Sequence, residues 1–326
     1  MPRMIKREVN FLVHRRIFFI VSAVLVLAAL IALPVRTVTT GSLLNFGIEF
    51  VGGSSMDFKS TGDLSIEQMR QAFDDAGQTG AVVQTTTDAT TGESGFIVRV
   101  PITDAATASA LADSIVSTLG LDAQSVEVNT INPSWGASVT RTSAIAFFVA
   151  IALIIIYIAI RFEYKMGLCA VLSLVHDLLI IIGIYAVTGR EVTPNVVAAL
   201  LTIMGYSLYD AVVVFHRITD NVGNTARHSF MTVANHSLNQ VIQRTINTTL
   251  VSLIPVLAML FFGGATLRDF AFAMSIGLLL GSYSSIAIAT PVYALWKQRE
   301  PKYKKLLSKF GDGLDEFTNV EQLGNE

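Results

Sequence analysis

Four ionisable residues lie within long apolar stretches of this chain, where a charge has no favourable surroundings. They are His176, Asp177, Asp210 and Arg244. A charged group at the centre of a membrane helix costs about 2.5–3.5 kcal/mol on insertion scales, so such groups usually serve a function. Burial favours the neutral form of an aspartate, whereas a neighbouring arginine favours its carboxylate. Asp210 and Arg244 therefore have the chemistry of a proton carrier and a movable counter-charge.

Polar residues accompany both of these side chains at helical spacing. Tyr206 and Ser207 fall on the predicted helix face of Asp210. Around Arg244, polar residues recur every three or four positions: Gln240, Asn247, Thr248 and Ser252. Such a stripe must face a bundle interior or a water-filled path, because lipid offers it no hydrogen bonds. The alternative interpretation is a buried Asp210–Arg244 ion pair that only fixes helix register.

His176 and Asp177 are predicted to support the same proton pathway. Adjacent residues of a helix point about 100° apart, so only one of the two needs to face Asp210. The alternative for the histidine is a hydrogen bond to a carbonyl, with no further role. His216 is predicted to lie at the headgroup boundary.

The elements that position these residues are predicted to be membrane helices. Hydrophobic residues make up 52% of the chain and charged residues 15%, whereas a soluble domain has about 25% charged residues. Several apolar blocks approach the ~20 residues that cross a bilayer. There are six of them: 17–35, 143–160, 166–187, 196–215, 246–262 and 270–296. The chain is thus predicted to be an α-helical membrane protein with six transmembrane helices.

These blocks divide the chain into four parts. They are an N-terminal segment with the first helix (1–35), an outer domain (36–140), helices two to six (141–296) and a tail (297–326). The first block is long for a signal peptide and no A-x-A site closes it, so an uncleaved helix is predicted. The fifth block is the shortest and needs the polar residues 240–245 to span. The tail after Leu306 is polar and is predicted to be disordered.

Two further patterns concern the arrangement of the helices. Small residues at four-residue spacing on the sixth helix predict close packing; they are Ala273, Gly277, Gly281 and Ser285. Loops rich in lysine and arginine stay on the cytoplasmic side. One side carries sixteen basic residues: Arg3, Lys6, Arg7, Arg15, Arg16, Arg161, Lys165, Arg217, Arg227, Arg244, Lys297, Arg299, Lys302, Lys304, Lys305 and Lys309. The other side carries Arg36, Lys59, Arg70, Arg99, Arg190 and Arg268, with Arg141 at a helix entrance. Both termini are therefore predicted to be cytoplasmic.

Residues 36–140 form the predicted extracytoplasmic domain, with twelve acidic and four basic residues. Alternating and β-branched runs predict strands at 54–58, 81–87, 96–100 and 125–131, with a turn at 91–95. Helices are predicted over 66–76, after Ser65, and over 105–119, between Thr103-Asp104 and Gly120. This order of elements is that of a ferredoxin-like α+β domain.

The residues give little support to other kinds of chemistry. A net charge of −2 gives no sign of nucleic-acid binding. The lone Cys169 excludes an internal disulfide and a cysteine metal cluster, and it is predicted to pack in an apolar block. No catalytic residue, metal site or cofactor is predicted, and the chain is not expected to be an enzyme.

Short motifs along nearly the whole chain resemble those of the SecD–SecF family of bacterial protein-export proteins, and of its smaller, SecF-type membrane subunit. The likeness rests on 45–53 (NFGIEFVGG), 161–164 (RFEY), 175–177 (VHD), 205–210 (GYSLYD), 212–217 (VVVFHR), 238–245 (LNQVIQRT), 267–270 (LRDF) and 281–285 (GSYSS). Their joint order and spacing are specific, although no single motif is. Three positions depart from the family pattern: Glu49 and His216 replace Asp, and Tyr209 replaces Asn. Tyr209 adjoins Asp210, so hydrogen bonding at that site is expected to differ.

The resemblance implies one half of a transporter of the resistance-nodulation-division type, in a bacterial cytoplasmic (inner) membrane. It assigns the proton-pathway pair to Asp210 and Arg244. The implied activity is use of the proton-motive force to promote export of secreted polypeptides. The implied partners are a SecD-like subunit, a SecYEG-type channel, a YajC-like small subunit, the translocating preprotein and protons. Gly47, Gly52 and Gly53 are expected to link helix one straight to the first strand of the outer domain.

Three other functions stay open on the sequence. One is a passive assembly scaffold, and another is a half-unit of a drug exporter, although the outer domain is small for that branch. The third is an intramembrane aspartyl protease, prompted by Asp177 and Asp210 on two helices. Such an enzyme needs two carboxylates that share a proton, and Arg244 would instead keep Asp210 ionised.

Overall fold

The structure is a computed structural model that describes residues 9–59, 61–62, 64–87, 94–222 and 228–311. Some predictions concern residues outside these ranges. They are Arg3, Lys6, Arg7 and Arg227 of the basic set, the centre of the turn at 91–95, and the tail from 312 onward.

The described elements run as follows along the chain. In order they are α1 (Arg15–Thr40), β1 (Asn45–Phe46), α2 (Ile48–Val51), β2 (Gly53–Phe58), α3 (Ile66–Asp75), β3 (Val82–Thr87), β4 (Ser94–Val100), α4 (Ala105–Leu119), β5 (Val126–Ile131), α5 (Pro133–Arg161), α6 (Tyr164–Thr188), β6 (Glu191–Val192), α7 (Pro194–Val222), α8 (Phe230–Phe262), α9 (Ala265–Ser284), a π-helical turn (Ser285–Ala289), α10 (Thr290–Gln298) and α11 (Pro301–Phe310). Within the described residues, six helices are long and apolar enough to cross a membrane. They are α1, α5, α6, α7, α8 and the span Leu267–Gln298, which holds most of α9 and all of α10. The predicted six-helix membrane fold is confirmed.

Some predicted helix ends are wrong. Helix α8 begins at Phe230, well before the polar lead-in at 240–245, because Ser229 accepts a hydrogen bond from the Thr232 backbone amide and caps it there. Helix α7 continues to Val222, so Asp210 lies further from its C-terminal end than predicted. Part of the tail after Leu306 is helical, because α11 extends to Phe310. Hydropathy marks the apolar part of a helix, not its polar extension.

The outer domain is a four-stranded antiparallel sheet with two helices on one face. Its strand order is β3-β4-β2-β5, and each pair of neighbours is antiparallel. This is the predicted ferredoxin-like arrangement, which is confirmed. Side chains at alternate positions, such as Met56, Phe58 and Val98, are buried against α3 and α4. The opposite face of the sheet is polar and is directed toward the membrane helices.

The helices of the outer domain begin where the sequence places them. Ser65 and Gln68 form a capping box at the start of α3, so each side chain bonds the other residue's backbone amide. Asp104 caps α4 by accepting a hydrogen bond of 2.8 Å from the Thr107 amide. Gly120 ends α4 in the left-handed conformation, with φ of 68°.

The link from α1 to the outer domain is more ordered than predicted. Strand β1 pairs in parallel with β6, which joins α6 to α7. The short helix α2 follows and breaks the straight path expected from Gly47, Gly52 and Gly53. Gly52 and Gly53 have φ of 78° and 123°, a region that side-chain-bearing residues rarely adopt. The outer domain is therefore attached both through the chain and through a strand pair with the helix bundle.

The centre of the membrane part is formed by α6, α7 and α9. The predicted small-residue face of the sixth span packs on α7: a Cβ atom at Gly281 would lie 3.0 Å from Ser207 Cβ, and one at Gly277 would overlap Ile203. By contrast, Gly136 and Ile158 are the only fully buried residues among those described in α5. Phe147, Ile151 and Ile154 pack against the bundle, and most other apolar side chains of α5 face outward, as expected for a helix at the edge of the bundle.

Candidate proton-transfer site

Asp210 faces a small cavity between α7, α8 and α9. The other residues that line it are Tyr206, Ser207, Thr248, Thr249, Ser252, Gly277, Leu278, Gly281 and Ser282. Its volume is about 10 Å³, close to the ~10–15 Å³ that one water molecule needs. The predicted faces of α7 and α8 thus meet here through Tyr206, Ser207, Thr248 and Ser252. The cavity offers a carboxyl group and several hydroxyls within reach of one another.

The hydrogen bonds of Asp210 come from the sixth span. Ser282 Oγ lies 3.3 Å from Asp210 Oδ2 and 3.1 Å from the Leu278 carbonyl oxygen. It also contacts the hydroxyl of Thr249 on α8. A serine hydroxyl has one proton to donate, so a bond to the carboxylate excludes one to the carbonyl. The charge of Asp210 therefore influences which partner Ser282 selects.

Arg244 lies on α8 and is not bonded to Asp210. Its guanidinium donates to the hydroxyl of Tyr209, and Cζ is 5.6 Å from the centre of that ring. Tyr209 and Arg244 are both exposed on the surface of the chain. The predicted pair is thus separated, with the arginine on the residue that departs from the family pattern. Tyr209 thus takes part in the hydrogen bonding beside Asp210.

Tyr209→Phe is expected to lower the pH at which Asp210 takes up its proton. The change removes the hydroxyl that holds Arg244, and a hydrogen bond to a charged group contributes about 1.5–3 kcal/mol. The freed guanidinium can approach Asp210 and stabilise its carboxylate. We expect the midpoint of pH-dependent proton flux to fall by up to about one unit, since one unit corresponds to about 1.36 kcal/mol.

Tyr157→Phe is the matched control for that change. Tyr157 is an exposed tyrosine on α5 that does not line the Asp210 cavity, and its hydroxyl has no hydrogen-bond partner among the described residues. Its replacement should leave the midpoint unchanged. An unchanged midpoint in Tyr209→Phe as well would show that Tyr209 does not control the position of Arg244.

Asp177 is the centre of a second polar cluster, with a side chain that is 0% exposed. Its Oδ2 accepts hydrogen bonds of 2.7 Å from both Ser207 on α7 and Ser284 on α9. Its Oδ1 lies 3.0 Å from His176 Nδ1. One carboxyl group therefore joins three helices. Ser207 also lines the Asp210 cavity, so it connects the two polar clusters. His176 bonds its neighbour and not a backbone carbonyl.

A π-helical turn follows this cluster in the sixth span. The Thr290 amide and hydroxyl both bond the Ser285 carbonyl, five residues earlier, and the hydroxyl bond is 2.7 Å long. The next residue, Pro291, has no amide proton to donate, so the helix cannot keep its regular pattern there. Such turns occur often at functional sites, because they alter the direction of neighbouring side chains.

Residue types alone did not single out Ser282, Thr249 and Ser284 as members of the site. The available signal is the serine-rich 281–285 segment within an apolar helix, which also carries part of the family resemblance. His216 is exposed, lies 3.2 Å from Asp220 and does not line the cavity, and its predicted place at the headgroup boundary stays a prediction. Gln240, a member of the predicted stripe, bonds Arg217 at 2.5 Å.

Comparison with known proteins decides the family. Residues 111–299 match the family model described as "Protein export membrane protein SecD/SecF, C-terminal". A curated relative, the protein translocase subunit SecF of Streptomyces coelicolor, is 34% identical over 97% of this chain and 85% of its own length. The chain belongs to the SecD/SecF family. It is a multi-pass membrane protein of the SecF type.

Longer relatives in the SecD/SecF family match through part of their length. The protein translocase subunit SecDF of Thermus thermophilus is 33% identical over 86% of this chain, which spans 38% of that protein. A crystal structure of SecDF from Thermus thermophilus, described as a translocon-associated membrane protein, superposes with a TM-score of 0.79 at 30% identity. It covers 92% of this chain, which spans 40% of that one. The membrane bundle and outer domain of this chain thus recur inside a larger protein.

Proposed function

We propose that this chain uses the proton-motive force to promote export of polypeptides by the Sec pathway. Asp210 is the proton carrier and Arg244 its movable counter-charge. The observation that carries the proposal is the water-sized cavity in which Asp210 meets hydroxyl groups of two neighbouring helices. A proton that crosses 100 mV releases about 2.3 kcal/mol, which is available for conformational work.

The proposed cycle has two states. With Asp210 ionised, Ser282 donates to its carboxylate and joins α7 to the sixth span. Protonation weakens that bond and allows Ser282 to donate to the Leu278 carbonyl, 3.1 Å away. It also weakens the attraction for Arg244. The helices then repack, and Asp177, with His176, keeps α6 in register with α7 and α9.

The polar stripe of α8 supports a SecD-like partner. Arg244 and Asn247 are exposed on the surface of the isolated chain, although they belong to a helix long enough to cross the membrane. Lipid cannot satisfy such groups, so another helix bundle is expected to cover them. Sites between two halves are the rule in transporters built from repeats. We propose that a SecD-like chain supplies this second half.

The membrane orientation and the remaining partners are proposed from the distribution of basic residues and from the family. The excess of basic residues on one side supports cytoplasmic termini in a bacterial inner membrane. A SecYEG-type channel, a YajC-like small subunit and the translocating preprotein are the proposed partners. No enzymatic activity is proposed.

The aspartyl protease is disfavoured by the contacts of its two candidate acids. Asp177 accepts from Ser207 and Ser284, and Asp210 accepts from Ser282, so neither has the other as a described hydrogen-bond partner. A passive scaffold explains the fold equally well, but it gives no reason for an aspartate at a water-sized cavity. The drug-exporter half-unit has no specific support in the site.

Proton flux into vesicles tests the proposed function. Three preparations are needed: this chain, a SecD-like partner, and the two together, each exposed to an imposed pH gradient. We expect proton flux only when both halves are present, because the polar stripe of α8 must pack against a second helix bundle. A complex without flux would favour the passive scaffold. Equal flux from this chain alone would refute the shared site.

A further inference from the structure

A wide cleft lies between the polar face of the outer sheet and the outer ends of the membrane helices. Its volume is about 670 Å³. Three arginines and three acidic residues line it: Arg99, Arg190, Arg268, Glu49, Glu191 and Asp269. The proton pathway uses none of them. Charges of both signs in one cleft form ion pairs. Which residues pair determines how the outer domain is held against the membrane helices.

Arg99 and Glu191 form the ion pair that joins the outer domain to the bundle. Arg99 lies on β4 and Glu191 on β6, and their side chains are only 15% and 7% exposed. Burial lowers the pKa of the Arg99 guanidinium, while the charges of Glu49 and Asp269 raise it. Removal of one member of a buried pair leaves the other uncompensated, so such contacts are broken only when another partner is at hand.

Glu49 provides that other partner. It lies on α2, and its Oε2 is buried without a hydrogen bond among the described residues. Arg99 Nη1 and Glu191 Oε1 are likewise buried and unbonded there. A Cβ atom at Gly47 would lie 3.0 Å from Glu191 Oε1 and closer still to Glu49 Oε2. The two carboxylates therefore approach one point, and a side chain at position 47 would occupy it.

The other cations of the cleft have their own partners. Arg190 Nη1 lies 3.7 Å from Asp269 Oδ1, and its guanidinium is 4.1 Å from the centre of the Phe272 ring. Arg268 is engaged in a further interaction. Arg99 is thus bound to Glu191 and lies within electrostatic reach of Glu49.

The two carboxylates are held side by side at the end of the helix bundle. Glu191 lies on β6, which joins α6 to α7, the helix of Asp210. Strand β6 pairs with β1, and the Gly47 amide donates to a carbonyl of β6, so Glu49 on the following helix α2 stays close to Glu191. Arg99 lies on β4 of the outer sheet. A shift of α6 and α7 relative to the outer sheet therefore changes which of the two carboxylates lies nearer to Arg99.

We propose that Arg99 couples the bundle to the outer domain by exchanging between two carboxylates, Glu191 in the arrangement described and Glu49 when α6 and α7 move. The Arg99 guanidinium is paired with a carboxylate in both states. The two states can therefore differ little in free energy, so that both are populated. It deepens the proposed function, since it gives the path from the helices of Asp210 to the outer sheet. Arg99 acts through position and does not carry a proton.

Distance measurement between spin labels on the full chain, in complex with a SecD-like partner, tests the exchange. One label replaces Ser117, exposed on α4, and the other replaces Gly264, where an added side chain meets no atom within 4 Å. The buried Cys169 is replaced by alanine in all samples. We expect two distance populations in the parent protein.

Two neutral variants should shift these populations in opposite directions. Glu191→Gln favours the Glu49 partner, whereas Glu49→Gln favours the Glu191 partner. We expect the population ratio to differ between them by about tenfold or more, the range of ordinary coupling between sites. The double variant with the two charges swapped, Arg99→Glu with Glu191→Arg, should restore an ion pair between β4 and β6 that Arg99→Glu alone loses. Glu127→Gln, which removes an exposed pair with Lys59, serves as the control and should change nothing.

Two outcomes would overturn the proposal. Identical populations in both glutamine variants would show that the guanidinium does not exchange. A shift in the same direction in both would show that the carboxylates merely stabilise one arrangement together. Neither outcome depends on proton flux, so failure of the exchange and failure of the proposed function are distinguishable.

Discussion

Asp210→Asn is expected to abolish the stimulation of export by the proton-motive force while the complex still assembles. Asparagine has nearly the same shape and can still accept a hydrogen bond from Ser282, but it does not take up a proton in the working pH range. The lost step is worth about 2.3 kcal/mol per 100 mV, which is nearly a fiftyfold bias at about 1.36 kcal/mol per factor of ten. We expect the stimulated component of export to fall at least tenfold. The measurement is preprotein uptake by inverted membrane vesicles, with and without an imposed potential.

Asp220→Asn provides the control for that measurement. Asp220 is an exposed acid on the same helix, near the end of α7, and it contacts His216 instead of the cavity. It should keep both basal and stimulated export. Full stimulation in Asp210→Asn would identify the chain as a passive scaffold. Loss of assembly would show that Asp210 is a structural residue, and co-purification with the partner detects that loss.

Asp177→Leu is expected to destabilise the helix bundle more than any other single change in the polar clusters. Leucine fills a similar space but leaves the hydroxyls of Ser207 and Ser284 and the ring of His176 without their common acceptor. Single hydrogen bonds between membrane helices contribute about 0.6 kcal/mol on average and about 1.7 at most. The two bonds that join Asp177 to other helices give a loss of roughly 1–3 kcal/mol on the same scale, and the bond to His176 lies within α6. Denaturant-induced unfolding of the purified chain in mixed micelles measures it.

Ser173→Ala tests whether the effect is specific to the carboxylate. Ser173 donates one hydrogen bond of 2.8 Å to Ser284 and is buried, but it is not among the described hydrogen-bond partners of Asp177. We expect Ser173→Ala to lower the free energy of unfolding by the contribution of one hydrogen bond, about 0.6–1.7 kcal/mol. Equal stability of Asp177→Leu and the parent chain would mean that Asp177 does not hold the three helices together.

The outer domain was predictable from the sequence because its signals are local. Ser65, Asp104 and Gly120 each act on the backbone within a few residues, and they mark the helix ends of α3 and α4 correctly. Alternation of polar and apolar side chains marks the strands in the same way. The ferredoxin-like order of these elements then leaves few ways to pair the strands.

The membrane helices were predictable in number but not in length. Hydropathy changes where a helix leaves lipid, and α8 continues beyond that point into residues such as Gln240 and Asn235, which bond other polar groups. The straight link through Gly47 was wrong for a related reason. Pairing of β1 with β6 depends on residues far apart in the chain, and short-range patterns do not contain it.

Several residues of the site were predictable from the sequence, but their contacts were not. Helical spacing brought Tyr206, Ser207 and Asp210 to one face correctly. It did not show that Arg244 would bond Tyr209, because this choice depends on the direction of a long side chain between two helices. No pattern in the sequence pairs Arg99, within a predicted strand, with Glu191, since their meeting requires the complete fold.

The open polar face of α7 and α8 bears on how cells make the complex. A copy without its second half would present Arg244 and Asn247 to lipid, and buried polar groups of this kind draw water and thin the bilayer around them. An unassembled subunit is therefore distinguished from the complete complex by the polar face to which the proposed counter-charge Arg244 belongs. Balanced synthesis of the two halves, and removal of any surplus by membrane proteases, would follow from this chemistry without a separate recognition signal.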